Sequence, residues 1–331
     1  MKTLITGTTG LLGGNLVRWL WSKGERGLRV LVRKSSKTLA IDDLNVERVY
    51  GDIRDPHSLR DALKDVNRIY HCAGSVSQWR GNFKQSYEIN VLGTVNLLNA
   101  SLEAGVEKVV YVSTVDTLGL SSKENPADEN WPEHKSMAKF RNPYVDTKYL
   151  AEQEAKKFLV KDLNLVIVKP TYLIGEWDVK PSSGQMVIQI AKGRAKGYPG
   201  GGNNFVDVLD VCEGMRLAME KGRVGEDYIL GNEKGNLSYK EFFSLVAEVV
   251  GVKPPNFQIP YSIAVGAGYI FDLLGLVFRF EPDVNSITAK MGYADHYFSS
   301  KKAIKELGLP QSPIAKAVER AFNWFKKYGY L

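Results

Sequence analysis

Cysteine is nearly absent: Cys72 and Cys212 are the only two in 331 residues, and neither stands in a CxxC or Cys/His spacing. That scarcity excludes a disulfide framework and a structural zinc site, and it suits a reducing, cytoplasmic setting. Histidine is also scarce. His57, His71, His134 and His296 form no HExxH or related pattern, so no metal is expected and each reads as structural or exposed. Long apolar runs are missing with one exception, Ser262 to Phe278. It is short for a span, contains Asp272 and is broken by Gly266, Gly268 and Gly275. It therefore reads as a buried or interfacial helix with at most peripheral membrane contact, not a stable insertion. Repeats and low-complexity tracts are absent as well.

The charge balance of +7 would suit nucleic acid or an anionic membrane, but Lys and Arg are scattered and alternate with Asp and Glu. We read them as solvated surface plus sites for anionic ligands, with a small-molecule substrate and no nucleic acid as partner. With 44% apolar and 24% charged residues, the chain has an ordinary globular composition. Its length calls for one large core with a smaller attached lobe, or for two unequal domains. Met1 leads directly into an apolar run and a glycine loop, which reads as leaving no room for a signal or transit peptide.

In the first half, β-rich runs alternate with helical patterns, the signature of a parallel sheet covered on both faces. The runs are Lys2–Thr6, Leu28–Arg33, Val46–Tyr50, Arg68–Cys72, Lys108–Ser113 and Leu165–Val168. Between them Val91, Val95, Leu98 and Leu102 recur at helical spacing, as a crossover helix requires. Beyond Pro170, Gly and Pro become frequent and later segments read as helices. The expected division is a dinucleotide-binding domain over 1–170, to which 205–231 returns, and a substrate lobe from 171–204 and 232–331. In the tail, Ile314, Val318, Phe322 and Phe325 share one helical face, a core-packing stripe.

The stretch Thr6-Gly7-Thr8-Thr9-Gly10-Leu11-Leu12-Gly13 lies between the first strand and the first helix. A tight glycine turn there lets backbone N–H groups approach a pyrophosphate, with the positive end of the helix dipole behind them. Gly7, Thr9, Gly10, Leu11, Leu12 and Gly13 are the candidate contacts. Dinucleotide sites for NAD usually end the second strand with a carboxylate on the ribose hydroxyls. Here the strand ends Val32-Arg33-Lys34, which suits a 2′-phosphate. The expected cofactor is NADP(H), with Arg33 as its main contact and NAD(H) as the alternative.

Tyr144 and Lys148 are four residues apart, so on a helix they share a face. Asn142 and Pro143 read as the cap and first residue of that helix. An ammonium beside a phenol stabilises phenolate and would lower its pKa toward a range useful for proton transfer. The pair follows a fifth strand ending Val112-Ser113-Thr114, and ligands in doubly wound sheets lie beyond the carboxyl ends of the strands.

With these residues in view, the sequence resembles the extended short-chain dehydrogenase/reductase (NAD-dependent epimerase/dehydratase) family. The matching motifs are TGTTGLLG, Gly51-Asp52-Ile53, His71-Cys72-Ala73-Gly74, Asn90-Val91-Leu92-Gly93-Thr94, VSTVDTLG, YVDTK, Lys169-Pro170-Thr171 and Phe205-Val206-Asp207-Val208. Within it, the chain is similar to dihydroflavonol reductase-like and hopanoid-associated sugar epimerase proteins. The resemblance implies an α/β fold: a doubly wound parallel sheet of Rossmann type with a smaller, mainly helical C-terminal lobe. It also implies that Asp52 and Ile53 hold the adenine, that Ala73 lines the nicotinamide side and that Pro170 joins the cofactor site. Thr114, Tyr144 and Lys148 would be the catalytic triad, and a homodimer would form through the helices around Val91–Leu102 and Tyr144–Phe158. The triad hydroxyl is often serine, so Thr114 with Ser113 before it leaves open which hydroxyl acts.

Sugar-nucleotide members usually carry an arginine just before the Phe-x-x-Val segment, where this chain has Gly202-Asn203-Asn204. That favours reduction of a ketone or aldehyde on a less charged substrate, although Lys192, Arg194 or Lys196 could supply a cation. Epimerisation or dehydration of a sugar or nucleotide sugar is the alternative, followed by a non-catalytic NADP sensor and by a membrane-surface enzyme using the Ser262–Phe278 helix. Asp207 and Asp210 are candidates to bound the cleft, with helix capping as the structural explanation of Asp210.

Overall fold

A computed structural model describes residues 1–132, 137 and 139–331, so His134 lies outside the described residues. Strands β1 (Thr3–Thr6), β2 (Leu28–Val32), β3 (Glu47–Tyr50), β4 (Arg68–His71), β5 (Lys108–Val112) and β6 (Leu165–Pro170) fall within a residue or two of the expected runs. Helices α1 (Leu11–Ser22), α2 (Pro56–Leu63), α3 (Phe83–Tyr87), α4 (Gly93–Glu103) and α5 (Pro143–Lys156) link them. A π-helical turn, Glu88–Leu92, joins α3 to α4. After β7 (Tyr172–Ile174) come α6 (Gln185–Ala191), β8 (Gly202–Asp207), α7 (Val208–Lys221), β9 (Asp227–Leu230), β10 (Asn236–Ser238) and α8 (Tyr239–Val250). The chain closes with α9 (Tyr261–Phe278), α10 (Ser286–Met291), β11 (Asp295–His296), α11 (Lys301–Leu307) and α12 (Ile314–Lys327).

The large sheet runs β3-β2-β1-β4-β5-β6-β9, and every pairing in it is parallel. Because side chains alternate across a strand, neighbouring residues serve opposite cores. Ile5, Val110, Val166 and Val168 pack with Leu16 and Leu20 of α1 and Val211 and Met215 of α7. Leu4, Val109, Tyr111 and Ile167 pack with Leu97 and Leu98 of α4 and Ala151 and Ala155 of α5. Burial on both faces explains the nearly continuous apolar runs. Strand order reverses between β1 and β4, which opens the crevice beyond their carboxyl ends.

The smaller sheet centres on β8, with β10 antiparallel and β7 and β11 parallel to it. Its core stacks Phe205 on Phe242 at 3.8 Å between ring centroids, with Ile188, Val318 and Phe325 around them. The chain passes from this sheet back to the large one at Asp207. That residue caps α7 by accepting from Leu209 N–H at 3.0 Å and pairs with Arg320. Asp210 is not the cap: its carboxylate accepts from the Ser312 N–H and hydroxyl, at 2.6 and 2.7 Å. Both carboxylates therefore tie α7 to α12 and its leading loop instead of bounding a cleft.

Candidate active site

The glycine loop follows β1 and leads into α1. Gly7 has φ +72°, and a Cβ on it would lie 2.6 Å from the Ala73 nitrogen and the Cys72 carbonyl, so only glycine lets β1 and β4 approach this closely. A Cβ on Gly13 would lie 2.3 Å from the Gly7 carbonyl oxygen. Gly10 N–H donates to the same carbonyl at 3.1 Å, closing the turn. Gly10 is also the N-cap of α1; no side chain caps this helix, and no acidic residue sits in its first turn. The unmet N–H groups there, beside half-buried Thr9, Leu11 and Leu12, form a cradle of the size and polarity a diphosphate needs. The buried Thr8 hydroxyl beside them has no hydrogen-bond partner. These features fit the dinucleotide anticipated from the motif.

Arg33 stands exposed just past β2. Its charge, added to the hydrogen bonds and charge of Arg54, helps hold the Asp52 carboxyl below its usual range. Asp52 accepts from Arg54 Nε and Nη2 at 3.1 and 2.8 Å, so that carboxylate is already committed to a cation. Ile53 is buried against Gly93, and Ala73 N–H donates to Thr6 Oγ1 at 3.1 Å. Pro170 ends β6 opposite Leu230, buried at the same edge of the sheet.

The Tyr144 helix starts as its sequence dictates. Asn142 is its N-cap, accepting from Tyr144 N–H at 3.0 Å, and Pro143 is its first residue. The Thr114 hydroxyl lies on the Tyr144 side and acts to lower the pKa of the phenol. Ser113 turns the other way: its hydroxyl donates to Glu152 Oε2 at 2.7 Å inside the core. Of the two adjacent hydroxyls, that of Thr114 is the one beside Tyr144.

One expectation needs correction. The Tyr144 pKa is raised above the usual phenol value, because burial and then the Asp116 carboxylate outweigh the lowering effect of Thr114. Lys148 does not counter this. Its ammonium donates to the Val112 carbonyl at 2.6 Å and to Tyr111 Oη at 3.1 Å, the acceptors that a buried donor requires. Burial lowers the Lys148 pKa to about 8, despite the opposing charge of Glu152.

Sequence reasoning missed what lies behind Lys148. The Tyr111 ring lies 5.6 Å from that of His71, whose Nε2 meets Thr94 Oγ1 at 3.0 Å. His71 Nδ1 meets Thr6 Oγ1 at 2.8 Å, so a buried polar cluster extends from beside Lys148 to the end of β1. Burial, with Lys148 adding to it, lowers the His71 pKa to about 3, so the ring is neutral and structural at pH 7. Thr94 and His71 stand in motifs already singled out; Tyr111 is marked only by its strand alternation. His57 is exposed, and buried His296 lies 3.5 Å from Asp116 across the crevice. Among the described residues no cluster could hold a metal. Lys192, Arg194 and Lys196 are all exposed, and Lys196 donates to the Gly193 carbonyl.

Comparison with known proteins extends this picture over the whole chain. A relative from Synechocystis sp., provisionally named dihydroflavonol 4-reductase, is 33% identical over 332 residues, covering 99% of this chain and 95% of its own. Sterol demethylase protein B of Methylococcus capsulatus is 33% identical over 336 residues and covers 100% of both chains. The crystal structure of gox2253 superposes with a TM-score of 0.86 at 40% identity, covering 100% of this chain and 99% of that one. The sequence profile of the NAD dependent epimerase/dehydratase family matches residues 3–231, from β1 through the last strand of the large sheet. With the glycine cradle and the Tyr144 helix inside that match, the chain belongs to the NAD dependent epimerase/dehydratase family and is a nicotinamide-dinucleotide-dependent oxidoreductase.

Proposed function

We propose that the protein is an NADP(H)-dependent reductase in which Tyr144 donates a proton to the oxygen of a ketone or aldehyde on a largely apolar substrate. The surroundings of the phenol carry this reading. Tyr144 packs with Leu120, Val145, Met291 and Ala294 beside Met137 and Phe140, a wall suited to hydrocarbon. Where a diphosphate would want a guanidinium, Asn204 instead ties the substrate lobe together, donating to the Asn232 carbonyl and Asn236 Oδ1 at 2.7 Å each. The names of the Synechocystis and Methylococcus relatives also refer to a dihydroflavonol and a sterol, neither of them a nucleotide sugar.

A bound nicotinamide supplies the hydride to the substrate carbon. The raised Tyr144 pKa keeps the phenol protonated at neutral pH, the form a proton donor needs for reduction. Thr114 is placed to hold the same substrate oxygen, so donor and acceptor are aligned before reaction. Lys148, held by Val112 and Tyr111, would face the nicotinamide ribose. The first turn of α1 would hold the diphosphate, Asp52 and Ile53 the adenine, Ala73 and Pro170 the nicotinamide side, and Arg33 a 2′-phosphate.

NADPH oxidation measured against apolar ketones, aldehydes and nucleotide sugars tests the substrate class. Turnover confined to nucleotide sugars would replace this reading with epimerisation or dehydration. In the same assay Thr114→Val is expected to lower kcat/KM by about 100-fold, the low end for an aligned catalytic group. Ser113→Ala is expected to retain turnover and to lose only about 1 kcal/mol of stability through its hydrogen bond to Glu152. Activity lost in Ser113→Ala but kept in Thr114→Val would reverse the assignment. Arg33→Asp is expected to raise the KM for NADPH by about 10–100-fold, the worth of a charge-assisted contact, and to improve NADH. A wild-type preference for NADH would overturn the cofactor assignment.

A further inference from the structure

Helix α9 is turned inside out relative to a helix of a soluble core. Val265, Gly268 and Gly275 are its buried positions, and half-buried Asp272 lies on the same narrow stripe, with its carboxylate accepting from Ser286 N–H at 3.2 Å. A Cβ on Gly268 would lie 2.8 Å from the Asn285 carbonyl oxygen, and one on Gly275 2.8 Å from that of Phe280, so glycines seat the helix on the returning chain. Ten large apolar side chains of α9 lie between 37% and 69% exposed, among them Ile263, Ile270, Leu273, Leu276, Val277 and Phe278. At 100° per residue the nine after Tyr261 cover roughly 220° of the circumference. So large an apolar surface is far beyond the few hundred Å² found in one patch on a soluble monomer.

The shape of this surface selects its occupant. A protein partner covers one side of a helix, a stripe of about 100° or somewhat more, and would leave much of this arc in water. Acyl chains close around the whole arc. Both ends of α9 return to the same body, which rules out a crossing. Phe257 and Ile259 exchange backbone hydrogen bonds with Tyr198 just before it, and Glu281 just after it accepts from Ser77 Oγ and Asn82 Nδ2, at 2.6 and 2.8 Å. The charges around the helix suit anionic headgroups. Arg279 is exposed at its end, Lys290 donates to Tyr269 Oη at 2.7 Å, and Arg80 and Arg141 line a depression next to the loop that binds Glu281. Of the nearby acids, Asp272 and Glu281 are engaged by the contacts above, Asp283 is exposed, and half-buried Asp146 lines the same depression as the two arginines.

We propose that α9 docks the protein on an anionic phospholipid surface, lying within one leaflet with the cationic rim at the headgroups. The docked face is continuous with the candidate active site. Met291, at the end of the helix packed along α9, accepts from Asn142 Nδ2 at 2.8 Å, and Asn142 caps the helix that carries Tyr144. Direct contacts therefore run from α9 to the cap of the Tyr144 helix. This assignment does not depend on the substrate reading above, and its test measures no turnover.

The test is flotation of the full chain on a sucrose gradient with vesicles of phosphatidylcholine and phosphatidylglycerol in equal parts, and with phosphatidylcholine alone. Wild-type protein is expected to rise with the anionic vesicles and less with the neutral ones. Ile270→Glu/Val277→Glu is expected to lower partitioning at least tenfold, with circular dichroism and Tm at wild-type values, because both positions are 62% exposed. The proposal fails if the wild-type chain stays at the bottom with both vesicles. It also fails if the wild-type chain is a dimer in solution that the double substitution splits, since a second copy would then be the cover.

Discussion

Tyr144→Phe is expected to reduce kcat/KM for carbonyl reduction by about 10³-fold, within the range contributed by a positioned general acid. Cofactor affinity and fold are expected to stay near wild type, because phenylalanine fills the same space between Val145 and Met291. The loss should appear in kcat as well as kcat/KM, since a proton moved only in the transition state does not strengthen ground-state binding. Stopped-flow measurement of NADPH oxidation with saturating substrate reads it directly. Turnover within tenfold of wild type would show that another group, with Asp116 and His296 the nearest to examine, delivers the proton.

The spacing of Tyr144 and Lys148 correctly placed them on one helix, since a four-residue interval has one geometric meaning there. It did not say where the ammonium would point. A buried donor goes to the nearest good acceptors, and those lie on β5, more than 30 residues away in sequence. The same limit applies elsewhere. The strands of the large sheet were legible because burial on both faces leaves an apolar run, and the Asn142 cap because its chemistry is local. The short strands β7, β10 and β11 were not, because two or three residues carry no period and their pairing is set by β8. For α9 the glycines at seven-residue spacing were visible, but apolar composition alone does not tell a helix covered by protein from one that stands outside it. Asp210 resembled a cap, and only its distance to Ser312 shows that it joins two segments.

Beneath the candidate site lies the feature least visible in sequence, and it carries the largest stability prediction. Lys169 on β6 is 1% exposed and pairs with Glu152 of the Tyr144 helix, while Ser113 and Thr117 donate to the same carboxylate oxygen. Lys156 adds a second cation at 3.0 Å from the other oxygen. Burial alone would raise the Glu152 pKa, but Lys169 and Lys156, with the hydrogen bonds, outweigh it and hold the carboxyl at about 2. A carboxyl depressed in the folded state stabilises above its unfolded pKa near 4.5, and that share is lost as pH falls toward about 2. Lys169→Met leaves Glu152 buried with its main partner gone, a change expected to cost about 3–5 kcal/mol and to lower Tm by roughly 4–7 °C at pH 7. In that variant Lys156 and the remaining hydrogen bonds oppose burial without Lys169, so the folded carboxyl takes up a proton at higher pH than in wild type. The Tm gap between wild type and variant should therefore be widest near pH 7 and narrow steadily toward pH 4, as calorimetry at a series of pH values would show. A gap that stays constant over that range would mean that lost packing around the lysine stem, and not the uncompensated charge, accounts for the instability.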